Sequence, residues 1–231
     1  MATLILTDNP FMLDVARSLQ KHYGDIHIFQ SPKGTLELVD RIDVRREEKV
    51  ITEKYDLILS IHCKQFFPAT LVNAVRCVNV HPGFNPYNRG WFPQVFSLIN
   101  GLPAGVTIHE MDEKLDHGPI IAQEKCTIKP WDTSESLYVR ILELENAMLW
   151  QHYESIKNRD YIASPPFEEG NLNTINDFEE MKKMNLNHTA TFGEFLNLLR
   201  ALSHGEHRNA YFLDKDSQKI FVRVILEKED A

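Results

Sequence analysis

An amide, an imidazole and a carboxylate occur in this sequence at positions that would let them act together. Asn79 and His81 follow an apolar run, and Asp116 comes 35 residues after His81. If two loops meet in one crevice, these residues supply an amide donor, a base and a carboxylate that orients the base. Taken alone, Asn79-x-His81 could equally satisfy backbone groups of a loop. The second loop makes these three residues the candidate catalytic set.

Two other kinds of chemistry are less well supported by the sequence. Four histidines could suggest a transition-metal site, but His62, His81, His109 and His117 lack the helical i, i+4 spacing, and no cysteine joins them at ligand spacing. A thiol nucleophile is also disfavoured, because Cys77 falls in the middle of a predicted strand. We therefore expect no metal and no cysteine nucleophile.

The segment that carries Asn79 and His81 is built as a shaped loop. Pro82 fixes its own φ and pushes the residue before it toward an extended backbone. Gly83 and Gly90 permit turns that a side chain would forbid. The loop can therefore hold Asn79 and His81 at the end of a strand.

Strands alternate with helices along the first two thirds of the chain. Apolar runs predict strands at residues 2–7, 26–29, 56–61, 76–80, 104–109 and 119–128. Helical spacing predicts helices at residues 11–22, 68–75 and 91–100, and a long helix from residue 132. Residues 31–54 are ambiguous. This order predicts an α/β domain with a largely parallel sheet, whose ligand crevice lies at the carboxyl ends of the strands, where Asp8, residues 60–64 and residues 79–90 fall.

The composition changes at Ser164-Pro165-Pro166, which predicts a catalytic domain at residues 1–163 and a small extension at residues 164–231. In the extension, residues 177–184 and 191–202 favour short helices. Residues 209–213 and 219–226 favour a hairpin.

The composition is that of an ordinary soluble globular protein, with 231 residues, 43% apolar, 25% charged and a net charge of −8. No apolar run is long enough for a membrane span, and the start of the chain has no secretory leader pattern, so we expect a cytoplasmic location. The negative charge disfavours nucleic acid as a partner. The three cysteines are far apart, which favours reduced thiols. The turn at residues 7–11 has no glycine, which disfavours the usual dinucleotide fingerprint.

Four blocks of sequence resemble the folate-dependent formyltransferases. They are Asn79-x-His81-Pro82, Pro86-x-x-Arg89-Gly90, Gly105 to His109, and Leu115 to Gln123. The resemblance implies a Rossmann-like formyltransferase domain that uses 10-formyltetrahydrofolate as formyl donor, with Asn79, His81 and Asp116 as catalytic residues. Residues 83–94 and 200–212 resemble the branch that N-formylates dTDP-4-amino-4,6-dideoxyglucose, a reaction of O-antigen or lipopolysaccharide synthesis.

Binding residues are expected near the crevice, where a pyrophosphate needs cations and a thymine needs a stacking ring, and a symmetric dimer is the commonest assembly of soluble enzymes. The expected folate-contacting residues are Ile61, His62, Arg89, His109, Asp112 and His117. The expected sugar-nucleotide contacts are Asn9, Lys64, Tyr87, Trp91, Phe92, Arg200, His204 and Tyr211. The expected partners are these two small molecules and a second copy of the chain in a homodimer.

Other activities of the same family are alternatives. A transformylase acting on glycinamide ribonucleotide is disfavoured by the missing glycine-rich turn after the first strand. A methionyl-tRNA substrate is disfavoured because residues 160–231 hold 8 Lys and Arg against 13 Asp and Glu. A formyltetrahydrofolate hydrolase would carry an extra N-terminal domain, whereas the first predicted strand here begins at residue 2. A non-catalytic folate sensor would not need the complete catalytic set.

Overall fold

The computed structural model describes residues 2–229. In residues 2–158 the elements are β1 (Ala2–Leu6), α1 (Pro10–Tyr23), β2 (Ile26–Phe29), α2 (Glu48–Lys54), β3 (Tyr55–Ile61), α3 (Ala69–Ala74), β4 (Arg76–His81), β5 (Arg89–Gly90), α4 (Pro93–Asn100), β6 (Gly105–Glu110), β7 (Ile120–Lys125) and α5 (Ser134–Asn158). The later elements are β8 (Leu172–Asn173), α6 (Ile175–Lys182), α7 (Phe192–Leu202), β9 (Tyr211–Leu213) and β10 (Lys219–Phe221).

The central sheet has six strands in the order β2-β1-β3-β4-β6-β7. The first four strands are parallel to one another. At one edge, β6 runs antiparallel to β4, and β7 runs antiparallel to β6. The prediction of an α/β fold with a mostly parallel sheet and a C-terminal helix and hairpin region is therefore confirmed.

Side chains alternate between the two faces of the sheet and pack into two cores. On β1, Ile5 lies in the core with α1 and α5, whereas Leu4 and Leu6 lie in the core with α2 and α3. A strand buried on both faces reads as a continuous apolar run, which is why the parallel strands were visible in the sequence.

Helix α4 begins two residues later than its sequence pattern predicts. Phe92 has a left-handed backbone with φ +52°, and Pro93 occupies the first turn of the helix. Trp91 instead continues the strand direction, and its N–H donates to the carbonyl of Asn173. The predicted start at Trp91 was therefore wrong, because the pairing with a distant segment overrides local helical spacing.

That distant segment forms a short two-stranded sheet which the sequence did not predict. β5 pairs in parallel with β8, matching Arg89 to Leu172 and Gly90 to Asn173. The segment after residue 163 is thus in contact with the loop that carries the candidate catalytic residues. The boundary between residues 163 and 164 remains a prediction.

A buried asparagine stabilises the contact between β5 and β8. Asn88 is fully buried, and its Oδ1 accepts from Nδ2 of Asn100, Asn171 and Asn173 at 2.8, 2.8 and 3.2 Å. Its own Nδ2 donates to Ser97 Oγ at 3.0 Å. Its backbone lies in the left-handed region with φ +51°, which asparagine tolerates better than most residues.

We predict that Asn88→Ala destabilises the protein by about 3 kcal/mol, because the fully buried Asn88 side chain loses its hydrogen bonds to Ser97, Asn100, Asn171 and Asn173. Urea unfolding measures the loss, and limited proteolysis within residues 164–173 should become faster. Asn187→Ala, at an exposed position, is the matched control and should change stability by less than about 0.5 kcal/mol. Equal losses in the two variants would contradict the role assigned to Asn88.

Candidate active site

Asn79, His81 and Asp116 meet at the carboxyl end of β4. Asn79 and His81 are two residues apart on this strand, so their side chains lie on the same face of the sheet. Asp116 lies in the loop between β6 and β7. Asn79 Nδ2 donates to Asp116 Oδ1 at 2.9 Å, and His81 Nδ1 lies 3.5 Å from Asp116 Oδ2. The structure thus brings together the three residues that the sequence singled out.

The carboxylate of Asp116 stays ionised although it is buried. Burial alone would raise its pKa, but the neighbouring His81 and His109 side chains and the N–H of Gly90 lower that pKa to about 2. Gly90 N donates to Asp116 Oδ2 at 3.1 Å. A fixed negative charge therefore lies beside Asn79 and His81 at neutral pH.

His81 is a neutral base in this environment. Its side chain is 4% exposed. Burial lowers its pKa to about 4, and the opposing effect of Asp116 does not compensate. A neutral imidazole beside a carboxylate carries its proton on the near nitrogen, Nδ1. Nε2 has no hydrogen-bond partner within residues 2–229, so its lone pair is available to a substrate.

His109 completes the group from the neighbouring strand. It lies opposite Asn79 in the register of β4 with β6. Its Nδ1 is 2.7 Å from the carbonyl of Glu110 and donates to it, which leaves Nε2 as an acceptor for Asn79 Nδ2 at 3.3 Å. Both N–H groups of Asn79 are therefore engaged, one by His109 and one by Asp116.

Gly83 leaves space at the reactive nitrogen of His81. A Cβ at position 83 would lie 2.5 Å from His81 Nε2, which is far inside van der Waals contact. The loop is held there by Thr107, whose Oγ1 donates to the carbonyl of Gly83 at 2.7 Å and accepts from Asn85 N at 2.9 Å.

Asn85, Thr107 and Gln123 are structural residues of the site to which sequence reasoning assigned no role. Asn85 Nδ2 donates to the carbonyl of Asp116 at 2.8 Å, and Gln123 Nε2 donates to the carbonyl of Asn85 at 2.6 Å. Thr107 and Gln123 are cross-strand neighbours. The available signal was a polar residue at each of two facing positions on β6 and β7.

Three of the predicted folate-contacting residues form an ion-pair network around the Asp116 loop. Arg89 Nη2 lies 3.2 Å from Glu169 Oε1, and His117 Nε2 lies 3.3 Å from Glu169 Oε2. His117 Nδ1 is 2.8 Å from Asp112 Oδ2. Lys114 first, and then His117 and Arg89, lower the pKa of Glu169. Glu169 was not predicted, because nothing in its local sequence separates it from a solvated charge.

The remaining predicted folate contacts lie on the same edge of the sheet. The Ile61 side chain is fully buried in the core at the end of β3. His62 follows it with a left-handed backbone, φ +56°, and hydrogen-bonds with Glu145 and Tyr138 of α5. Asn9, predicted to contact the sugar nucleotide, caps α1 through Met12 N and also donates to Tyr138.

The aromatic residues predicted to contact the sugar nucleotide lie at the rim of the site. Trp91 is 37% exposed and, with Leu115 and residues 172–176, lines a cavity of about 270 Å³. Phe92 packs against Phe178 at a ring distance of 4.4 Å. Tyr87 contacts Phe167. Lys64 is exposed, and its backbone N–H donates to Asp8 Oδ2 at 2.6 Å.

The three predicted contacts from the tail have structural partners. Arg200 Nη1 donates to the carbonyls of Lys129 and Pro130, so it holds α7 against the loop between β7 and α5. His204 Nδ1 is 3.1 Å from Ser134 Oγ at the start of α5. Tyr211 lies in the β9 and β10 hairpin, and no contact in the described residues joins it to Asn79, His81 or Asp116.

Within residues 2–229 there is no group of three histidine, cysteine, aspartate or glutamate side chains that could hold a metal ion. The same part of the chain contains no helix with the length and apolar character needed to cross a membrane.

Comparison with known proteins gives consistent matches over the whole chain. Residues 3–152 match the family described as formyl transferase, and residues 177–228 match the N-formyltransferase dimerization C-terminal domain. The dTDP-4-amino-4,6-dideoxyglucose formyltransferase of Mycobacterium bovis is 55% identical, with 99% of this chain and 98% of the relative aligned.

Two solved structures share the fold across almost their full lengths. A sugar N-formyltransferase from a Shewanella species has 39% identity and a TM-score of 0.95, covering 100% of this chain and 99% of the other. A 4-N formyltransferase from Francisella tularensis has 38% identity and a TM-score of 0.94, covering 99% and 98%.

We predict that acid weakens the fold through His81. An unfolded histidine takes up a proton near its ordinary pKa of 6.5, whereas buried His81 does so only near 4. Between these values the unfolded state binds more protons, so the free energy of unfolding falls as the pH is lowered. In His81→Asn, the loss of stability from pH 7 to pH 5 should be smaller by about 2 kcal/mol in urea titrations.

His188→Asn, at an exposed position, is the control for this measurement and should leave the pH dependence unchanged. The same loss of stability in His81→Asn as in the unaltered protein would show that His81 is protonated near pH 6.5 in both states.

Proposed function

The chain belongs to the formyl transferase family, and we propose that it transfers the formyl group of 10-formyltetrahydrofolate to the 4-amino group of a dTDP-linked 4-amino-4,6-dideoxy sugar. The proposed acceptor is dTDP-4-amino-4,6-dideoxyglucose. Identity of 55% over 99% of the chain to an enzyme named for this substrate supports the proposal. The observation that carries the chemistry is the group of half-buried Asn79 with buried, neutral His81 and buried, ionised Asp116.

The reaction is a transfer of an acyl group between two nitrogens. The neutral amine attacks the formyl carbon, a C–N bond forms, and the carbonyl oxygen becomes an oxyanion. The oxyanion collapses when the bond to the folate nitrogen breaks. One proton must leave the attacking nitrogen and one must reach the departing nitrogen.

His81 is suited to carry that proton between the two nitrogens. It is neutral at pH 7, with a free Nε2, so it can accept a proton from the strongly acidic nitrogen of the tetrahedral intermediate. Its pKa of about 4 makes the resulting imidazolium a strong acid, which favours transfer to the leaving nitrogen. The carboxylate of Asp116 stabilises this imidazolium while it exists.

Asn79 is the proposed donor to the oxyanion. Its Nδ2 bonds to His109 at 3.3 Å and to Asp116 at 2.9 Å. The bond to His109 is the longer one and joins two neutral groups, so this N–H can turn toward a developing negative charge at lower cost. A preorganised donor of this kind lowers a barrier by about 3 kcal/mol.

We also propose that the enzyme works in the cytoplasm as a homodimer joined through its C-terminal extension. The match of residues 177–228 to a dimerization domain supports this arrangement. The extension also exposes large apolar side chains, with Phe192 at 94% and Leu186 at 67%. Contiguous exposed apolar side chains are typical of interaction surfaces.

We predict sugar-dependent release of tetrahydrofolate when the protein is incubated with 10-formyltetrahydrofolate and dTDP-4-amino-4,6-dideoxyglucose. The product should gain the mass of one formyl group at the amine. The dTDP-linked 3-amino isomer should react about 100-fold less efficiently in kcat/KM, because its amine does not reach the catalytic group. His81→Asn should lower kcat by about 1,000-fold.

Release of tetrahydrofolate without any amine acceptor would identify a hydrolase and overturn this proposal. Preference for glycinamide ribonucleotide in the same assay would identify the other transformylase activity.

We predict that Gly83→Ala lowers kcat by about 100-fold, because the added methyl group displaces the His81 ring from its productive position. Gly193→Ala is the matched control, since a Cβ at position 193 meets nothing closer than 3.8 Å. Thermal unfolding of both variants shows whether the fold persists. Unchanged kcat in folded Gly83→Ala would refute the role given to His81 Nε2.

A further inference from the structure

A fully buried carboxylate lies on the apolar face of α5, outside the catalytic group. Glu145 is one turn after Ile141 and one turn before Met148, both of them core residues, and its side chain is 0% exposed. Its Oε2 is 2.7 Å from His62 Nε2, and its Oε1 has no partner within residues 2–229. Burial of a carboxylate costs free energy unless the group is paired, and His62 is the partner of Glu145.

The contact continues as a hydrogen-bonded chain toward the crevice. His62 Nδ1 is 3.1 Å from the hydroxyl of Tyr138, and this hydroxyl accepts from Asn9 Nδ2 at 3.0 Å. The carboxylate of Glu145 accepts from His62 Nε2–H, which leaves His62 Nδ1 as the acceptor for the Tyr138 hydroxyl proton. The imidazole is held in one tautomer, with the nitrogen that faces Tyr138 able to take a further proton.

The hydrogen-bonded chain from Asn9 to Glu145 lies at the same edge of the sheet as the catalytic group. Asn9 follows β1 and His62 follows β3, while Asn79 and His81 end the neighbouring strand β4. Ile61 lies opposite Val80 in the register of β3 with β4, so His62 and His81 are the next residues on neighbouring strands. The titratable groups around His62 and Tyr138 are Glu145 from α5, His81 from β4 and His204 after α7.

The proposed attack starts from the neutral amine, so an ammonium form of the acceptor must first lose a proton. An aliphatic amine is largely protonated at pH 7, and only its neutral form can attack the formyl carbon. His81, with a pKa of about 4, is too weak a base to take a proton from an ammonium group in the ground state. A stronger base in the same crevice would generate the neutral amine from the bound ammonium form.

We propose that Tyr138, His62 and Glu145 form a relay that removes the proton from the ammonium group of the acceptor sugar before attack. This proposal rests on the amine-formylating function proposed above. The ammonium N–H passes its proton to the Tyr138 oxygen, and the original Tyr138 proton moves to His62 Nδ1. The amine is left with its lone pair, Tyr138 is a neutral hydroxyl again, and His62 is an imidazolium.

Glu145 is a positioning residue in this relay. Burial raises the pKa of its carboxyl group, and the neighbouring His62 opposes that shift. The carboxylate accepts from His62 Nε2 before the transfer and stabilises the imidazolium after it, as the carboxylate of a catalytic triad does. Burial raises the pKa of the Tyr138 hydroxyl well above its ordinary value. The proton therefore passes through Tyr138 without leaving a phenolate there.

The test compares Glu145→Gln, Tyr138→Phe and Glu143→Gln in the full-length enzyme. Glutamine at 145 keeps an oxygen that can accept from His62 but removes the charge, and phenylalanine at 138 removes only the hydroxyl. Glu143 is exposed on the same helix, so Glu143→Gln makes the same change in net charge away from the relay. Sugar-dependent kcat/KM is measured from pH 6.5 to pH 9.5, with thermal unfolding as the check on folding.

At pH 7 we expect Glu145→Gln and Tyr138→Phe to lose about 100-fold in kcat/KM, while Glu143→Gln stays unchanged. The loss should shrink as the pH approaches the pKa of the amine, because solution then supplies the neutral form. A loss of equal size at every pH, or no loss in Glu145→Gln, would overturn the relay alone. Absence of sugar-dependent release by the unaltered enzyme would instead overturn the proposed function, and the relay with it.

Discussion

A charged carboxylate in the interior is the constraint on which the rest of this site depends. Asp116 is 9% exposed and ionised, so the surrounding chain must replace the water it has lost. Asn79 from β4 and the N–H of Gly90 supply hydrogen bonds, and the His81 ring lies against the second oxygen. One charge thereby sets the relative positions of a strand end and two loops.

The need for hydrogen bonds to Asp116 also constrains the backbone at Gly90. Gly90 has φ +89°, and a Cβ there would lie 2.4 Å from the carbonyl of Asn173. Its N–H can point at Asp116 only because the chain turns in this way and because β8 approaches so closely. The geometry around the carboxylate is therefore linked to the pairing of β5 with the extension.

The sequence predicted those parts of the fold and the site whose residues show a local or periodic pattern. Buried parallel strands read as apolar runs, and strands alternating with helices place Asn79 and His81 at the carboxyl edge. The four family blocks then single out Asp116. The contacts of Glu169 with Arg89 and of Asn173 with Asn88 join residues 80 and 85 positions apart. No spacing rule connects polar residues at such separations, so these contacts could not be predicted.

Such distant contacts also hold the loop at residues 83–94. Its shape does not come from its own sequence alone. Asn88 is held by Asn171 and Asn173, Arg89 by Glu169, and Trp91 by the carbonyl of Asn173. The cavity at Trp91 and Leu115 is lined by residues 172–176 on its other side. Because residues 169–176 hold this loop in place, the extension helps to shape the candidate active site.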